Sequence, residues 1–99
     1  MRDERRPAVY IMTNRKGGVL YTGVTSNLIA RAWQHRQKQS GFSARYRCDK
    51  LVWFEVHDSM EAAIAREKQI KAGSRTRKMA LIEAANPQWR DLYPELTSE

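Results

Sequence analysis

Apolar residues fall along this chain in short, separated runs whose spacing changes from one run to the next. Ala8-Val9-Tyr10-Ile11-Met12-Thr13 is a β-type run, and Asn14-Arg15-Lys16-Gly17-Gly18 after it is a loop signal. Residues 19–24, Val-Leu-Tyr-Thr-Gly-Val, are β-type again. Two short strands around a glycine-containing loop predict a hairpin. Thr25 or Ser26 can cap a helix in which Leu28, Ile29, Ala32 and Trp33 give an apolar side, running to about Gln39. Residues 40–49 are mostly polar and contain Gly41, so they read as a loop. Leu51-Val52-Trp53-Phe54-Glu55-Val56 is the strongest strand signal, and its near-continuous apolarity predicts a central strand covered on both faces.

Asp58 followed three residues later by Glu61 fits a helix-capping pattern. The helix it opens is expected from about Ser59 to Ala72, with Gly73 as its stop. Ser74 can cap another from about Arg75 to Ala85, which Asn86-Pro87 ends. Trp89, Leu92 and Tyr93 then read as a tail packed on the body. The element order is β-β-α-β-α-α, an α+β arrangement with a three-stranded sheet covered by helices. The expected organisation is an N-terminal tail over 1–7, one domain over 8–93 and a C-terminal tail over 94–99.

Composition narrows the partner more than the fold. Ninety-nine residues suit one domain with one modest core and no separate recognition module. Eighteen Lys and Arg against eleven Asp and Glu give a formal charge of +7, which favours a polyanion, nucleic acid by default. The charge is uneven. Arg31 to Arg47 holds five basic residues and no acid, Arg66 to Lys78 holds six with only Glu67, and the chain from Glu83 onward holds four acids and Arg90. Two basic middle stretches suit a phosphate-tracking surface, and the plainer alternative is two solvated helix faces. Cys48 is the single cysteine, so neither an intrachain disulfide nor a Cys/His metal cluster is available, and a reducing cytoplasm is the expected compartment. Cys48 lies among basic residues, but no motif ties it to His35 or His57 as an activated thiol. No apolar run approaches the ~20 residues of a membrane span, and Met1 to Pro7 lacks the apolar stretch of a secretory signal.

Glu67 is the most informative single residue. It sits within the stripe Met60, Ala63, Ile64, Ile70, three residues from each of the last two. A carboxylate on a buried side is costly unless paired or bound to a cation. Arg66, Lys71 or a distant arginine would serve as the pair. In a basic, phosphate-binding surface a lone acid also suits a hard cation, which takes one or two carboxylates and completes its shell with phosphate oxygens and water. Arg31 and His35 stand four apart and share a helix face, so Arg31 can pin a phosphate and His35 can move a proton. Tyr10 and Tyr21 lie on the paired strands, and Gly23 is expected to leave space for a ligand backbone beside Tyr21. Packing within the sheet is the commoner fate of strand tyrosines. Trp33, Trp53, Phe54 and Trp89 are assigned to the core or its edge. Lys16, Arg36, Lys38, Arg45, Arg47, Lys68, Lys71 and Arg75 are the candidate phosphate-binding residues.

Taken in order, these residues resemble a known pattern. Val9-Tyr10 on one strand and Tyr21-Thr22-Gly23 on the next, ten residues between the tyrosines, then Arg31, His35, Glu67 and Asn86, are similar to the GIY-YIG nuclease superfamily. The resemblance covers about residues 8–93 and is closest to the small stand-alone bacterial members. The first triplet reads Ala8-Val9-Tyr10, without its glycine, and Thr22 replaces isoleucine in the second. The resemblance implies an antiparallel three-stranded sheet flanked by helices. It also implies metal-dependent hydrolysis of phosphodiester bonds in DNA, with repair or recombination as the setting. By that analogy Glu67 holds one Mg²⁺ or Mn²⁺, Tyr10 is the general base or proton relay, Tyr21 and Arg31 position the scissile phosphate, and His35 supports the proton transfer. Asn86 aligns with a polar residue near the end of the domain, and a helix stop explains it equally well. Branched or single-stranded DNA is the expected substrate. A nucleic-acid-binding module with little intrinsic cleavage, working beside a partner protein, is the alternative.

Overall fold

The structure is a computed structural model, and it describes residues 6–37 and 46–97. Strand β1 (Ala8–Thr13) pairs antiparallel with β2 (Leu20–Thr25) on one side and with β3 (Lys50–Val56) on the other, giving the order β2-β1-β3. Among the described residues the helices are α1 (Leu28–Arg36), α2 (Met60–Ala72), α3 (Arg75–Ala85) and a short α4 (Tyr93–Thr97). The expected order β-β-α-β-α-α is therefore the observed one, with α4 added where only a packed tail was expected.

The hairpin loop is fixed by its own polar side chains. Thr13 Oγ1 donates to the Val19 carbonyl at 2.8 Å, Asn14 Oδ1 accepts from Val19 N at 2.9 Å, and Gly17 takes φ +71°, a backbone angle that suits glycine. The helix caps are sharper than the sequence suggested. Asn27, not Thr25 or Ser26, caps α1 by accepting from Ala30 N, and Ser59, not Asp58, caps α2 by accepting from Ala62 N. Gly73 ends α2 as expected but with φ −79°, so it needs no left-handed turn there.

β3 is not the central strand. β1 holds the centre, and all six of its residues are buried. The apolar run of β3 has another cause. Both faces are covered, and a register shift opposite Ile11 and Met12 sets Val52 and Trp53, neighbours in sequence, into the same core cluster. That cluster joins Val9, Ile11, Val52 and Trp53 to Ala63 and Ile70 of α2, Ile82 of α3, and Trp89. The opposite face carries Ala8, Tyr10, Met12 and Leu51 with Leu28 of α1 and Cys48.

The outer edge of β3 is closed by the C-terminal segment. Leu92 N donates to the Leu51 carbonyl at 2.7 Å, Asp91 Oδ1 accepts from Leu51 N at 3.1 Å, and Asn86 Nδ2 donates to the Val52 carbonyl at 3.1 Å. Leu51 N and the Leu51 and Val52 carbonyls, which an edge strand would leave to solvent or to another chain, are thus satisfied internally. Trp33 departs from its expected place: it is 50% exposed, on the side of α1 away from buried Leu28, Ala32 and His35. Trp53 and Trp89 are buried as expected. Among the described residues no helix is long and apolar enough to cross a membrane.

Candidate active site

The β1–β2 register sets Tyr10 opposite Gly23 and Tyr21 opposite Met12, so the two tyrosines are diagonal neighbours on one face. Their ring centroids lie 6.3 Å apart. A Cβ at position 23 would collide with the Tyr10 hydroxyl oxygen and the ring carbon that bears it. The space that Gly23 leaves is therefore filled by Tyr10 itself rather than held open for a ligand. Glycine is needed there so that the phenol can lie flat across β2.

Helix α1 brings the remaining groups onto this face. His35 packs edge-on against both rings, at 5.5 Å from Tyr10 and 4.9 Å from Tyr21. Its Nε2 is 3.0 Å from the Tyr10 hydroxyl. Arg31 Nε donates to the same hydroxyl at 3.2 Å, and Arg31 Nη1 donates to Gln34 Oε1 at 3.0 Å. Gln34 was not singled out from the sequence, although its position three residues after Arg31 on one helix is the available signal.

Burial is the main cause that pushes the Tyr10 hydroxyl up to about 12; the Arg31 hydrogen bond opposes it, and neighbouring Tyr21 adds to it. Burial, reinforced by the Arg31 charge, holds His35 down at about 4. The bond to Tyr10 in turn raises Arg31. At neutral pH the site therefore holds a neutral imidazole, a protonated phenol and a cationic guanidinium. The Tyr10 oxygen accepts from Arg31, and His35 Nε2 can take the phenolic proton in the tautomer protonated at Nδ1.

Glu67 lies elsewhere on the framework. It is 9% exposed on α2, between Ala63 and Ile70 of the opposite core cluster, and its Oε2 meets Lys71 Nζ at 2.6 Å. The expected apolar stripe holds only in part, since Met60 and Ile64 are each 37% exposed. Tyr21 and Lys71, the partner of Glu67, line one cavity beside β2. This cavity of about 540 Å³ is lined by Val19, Leu20, Tyr21, Thr22, Lys71, Arg75 and Lys78. Among the described residues no cluster of three or more His, Cys, Asp or Glu is present that would hold a metal by itself. A single shielded carboxylate is a donor that a hard divalent ion takes beside water and substrate oxygen, but here it faces Lys71 Nζ, which would have to move aside.

Several residues expected to bind phosphate are committed to the fold. Asn86 is buried, and its side chain bonds the Val52 carbonyl, the Arg90 carbonyl and Arg90 N; it clamps the C-terminal turn and is not available to a ligand. Arg36 pairs with Asp91 Oδ2 at 2.5 Å and lies over the Tyr93 ring, which ties it to the C-terminal segment instead of to phosphate. Arg75 Nη2 donates to the Gly17 and Gly18 carbonyls, both at 2.7 Å, and so anchors the hairpin loop. Lys16, Arg47 and Lys68 are exposed. Lys38 and Arg45 lie outside the described residues. Cys48 is buried, and burial followed by the nearby Asp49 raises its thiol, the opposite of activation.

Residues 6–80 match the GIY-YIG catalytic domain. The chain is 33% identical over 93 residues to a UPF0213 protein of Desulfotalea psychrophila, covering 89% of this chain and 83% of that protein. It is 39% identical over 71 residues to a UPF0213 protein of Syntrophus aciditrophicus, covering 70% and 80%. A UPF0213 protein of Staphylococcus haemolyticus is 38% identical over 76 residues, covering 76% and 92%. No solved structure gives a significant match.

Proposed function

The chain belongs to the GIY-YIG catalytic domain family, a family of nucleases, and from that premise we propose a divalent-metal-dependent endonuclease that hydrolyses phosphodiester bonds in DNA. The observation that carries the reading is the hydrogen-bonded series Arg31–Tyr10–His35 beside Tyr21. It joins a phosphate-binding cation to a proton path. Arg31, partly exposed at its guanidinium end and steadied by Gln34, neutralises the scissile phosphate with Tyr21 beside it.

With its hydroxyl at about 12, Tyr10 is ionised in only about one molecule in a hundred thousand at pH 7, so it does not wait as a phenolate. It works instead as a relay: its oxygen takes a proton from the attacking water as its own proton passes to neutral His35. A phosphate paired with Arg31 offsets the positive charge that helps hold His35 down, so substrate binding itself raises the imidazole's proton affinity. Glu67 would hold Mg²⁺ or Mn²⁺, which supplies Lewis-acid stabilisation of the leaving oxygen when bound. Branched and single-stranded DNA are the proposed substrates, with repair or recombination as the setting.

The Glu67–Lys71 ion pair favours a second reading, a module that binds nucleic acid without cutting it, because the carboxylate is already neutralised. One experiment separates the two. Wild type and Glu67→Ala are incubated with branched, single-stranded and duplex DNA, with Mg²⁺ or Mn²⁺ and with chelator. The nuclease reading requires cleavage by wild type alone, lost on chelation. Intact DNA in every lane, together with salt-sensitive binding that survives Glu67→Ala, supports the binding module.

A further inference from the structure

The cavity at the edge of β2 is walled by three basic side chains, and no acid lines it. Two of the three are held in place by neutral groups. Arg75 is fixed by the Gly17 and Gly18 carbonyls, and Lys78 Nζ donates to the Gly73 carbonyl at 3.3 Å. A carbonyl partner positions a cation without cancelling its charge, so both remain attractive to an anion while losing little freedom when it arrives. The third, Lys71, faces buried Glu67 four residues away on one helix, but its own side chain is exposed and reaches the cavity, so an entering anion can compete for it. Counting Glu67 against the three cations leaves the cavity net positive. Tyr21 is the residue common to the two sites: it lines the cavity, and its ring packs on His35.

We propose that this cavity is a subsite for a second phosphodiester of the same nucleic-acid strand, adjacent to the phosphate held by Arg31 and Tyr21. Lys71 and Lys78 bind its oxygens, and Arg75 keeps the hairpin-loop wall in place. When a phosphate enters, Lys71 exchanges Glu67 for it and leaves the carboxylate open. The strand thus runs along the edge of β2, from the tyrosine face toward α2 and α3. The polyanion is identified as nucleic acid on the strength of the proposed nuclease reading.

The test uses the full chain in chelator, so that binding is read without cleavage. Fluorescence anisotropy follows single-stranded and duplex oligonucleotides across a salt series for wild type, Lys71→Ala, Lys78→Gln, their double variant, and two controls, Lys50→Ala on β3 and a charge-matched Lys50→Ala/Lys68→Ala double. Thermal melting checks each fold. The double variant is expected to bind at least about tenfold more weakly at low salt, and the slope of log affinity against log salt should fall by about two, one for each lysine that no longer neutralises a phosphate. Lys50→Ala should change neither by a comparable amount. Double-variant binding equal to that of the charge-matched Lys50→Ala/Lys68→Ala control overturns the subsite, even if Glu67-dependent cleavage is present. A double variant that loses binding, in a protein whose wild type never cuts, upholds the subsite and removes the nuclease reading instead.

Discussion

Substituting His35 by glutamine tests the electrostatic account of the site most directly. The imidazole is 6% exposed and held at about 4 from an ordinary 6.5, by burial first and the Arg31 charge second. A histidine with a depressed value favours the folded state when neutral. Its contribution is complete above the unfolded value and is lost as pH falls from 6.5 toward 4. At ~1.4 kcal/mol per pH unit between the two values, complete protonation costs the fold roughly 3 kcal/mol, of which about 2 kcal/mol is already lost at pH 5. Glutamine keeps a neutral acceptor near the Tyr10 hydroxyl but cannot titrate. Urea unfolding at pH 7.5 and pH 5 should show the wild-type midpoint falling by about 1 M more than that of His35→Gln, for a slope near 2 kcal/mol/M. Taking the difference between the two proteins cancels every group they share, His57 and the carboxylates included. Equal pH dependence in both would refute the reasoning, as would an imidazole resonance of His35 that titrates near 6.5.

Tyr10→Phe removes the hydroxyl between Arg31 and His35; cleavage should drop by about a hundredfold or more, while urea unfolding shows a loss of only about 1–2 kcal/mol. Undiminished cleavage would take Tyr10 out of the chemistry. Gly23→Ala drives a methyl group against the Tyr10 phenol and should destabilise by about 1–3 kcal/mol in thermal or urea melts. Its cleavage rate should fall with the displaced hydroxyl, and an unchanged melt would show that the phenol has room to shift. Asn86→Ala strips partners from buried backbone groups of β3 and the C-terminal turn and should cost about 2–4 kcal/mol, with DNA affinity of the folded protein unchanged by anisotropy. A selective loss of affinity would return Asn86 to the binding surface.

The element order was legible because each strand and helix here carries its own signal. β1, the hairpin loop and the Ser74-capped α3 follow from local rules alone. The place of β3 in the sheet did not. Apolarity on both faces reports covering layers, not the number of strand neighbours, and the β-bulge that turns Val52 and Trp53 to one face leaves no mark in composition. Tyr10, Tyr21, Arg31 and His35 were nameable from order and spacing, and the structure gathers them. What spacing could not convey is that Gly23 serves Tyr10, its cross-strand partner, more than Tyr21, its neighbour in sequence. Nor could it separate basic side chains left wholly to solvent from those that also bond to distant parts of the fold. Arg36 and Arg75 find partners 55 and 58 residues away in sequence, and no local pattern carries that distance.

The closure of β3 by residues 86–92 has a consequence for assembly. With Leu51 and Val52 on that edge bonded to the chain's own C-terminal segment, the longer open edge is that of β2, whose outer side has no strand partner among the described residues. That is also the side along which the basic cavity lies. A strand docking there, from a second copy or another protein, would fill the groove as it lengthened the sheet. Because Val19 to Thr22 of this edge also wall the cavity, strand addition and polyanion binding would compete for the same stretch of β2.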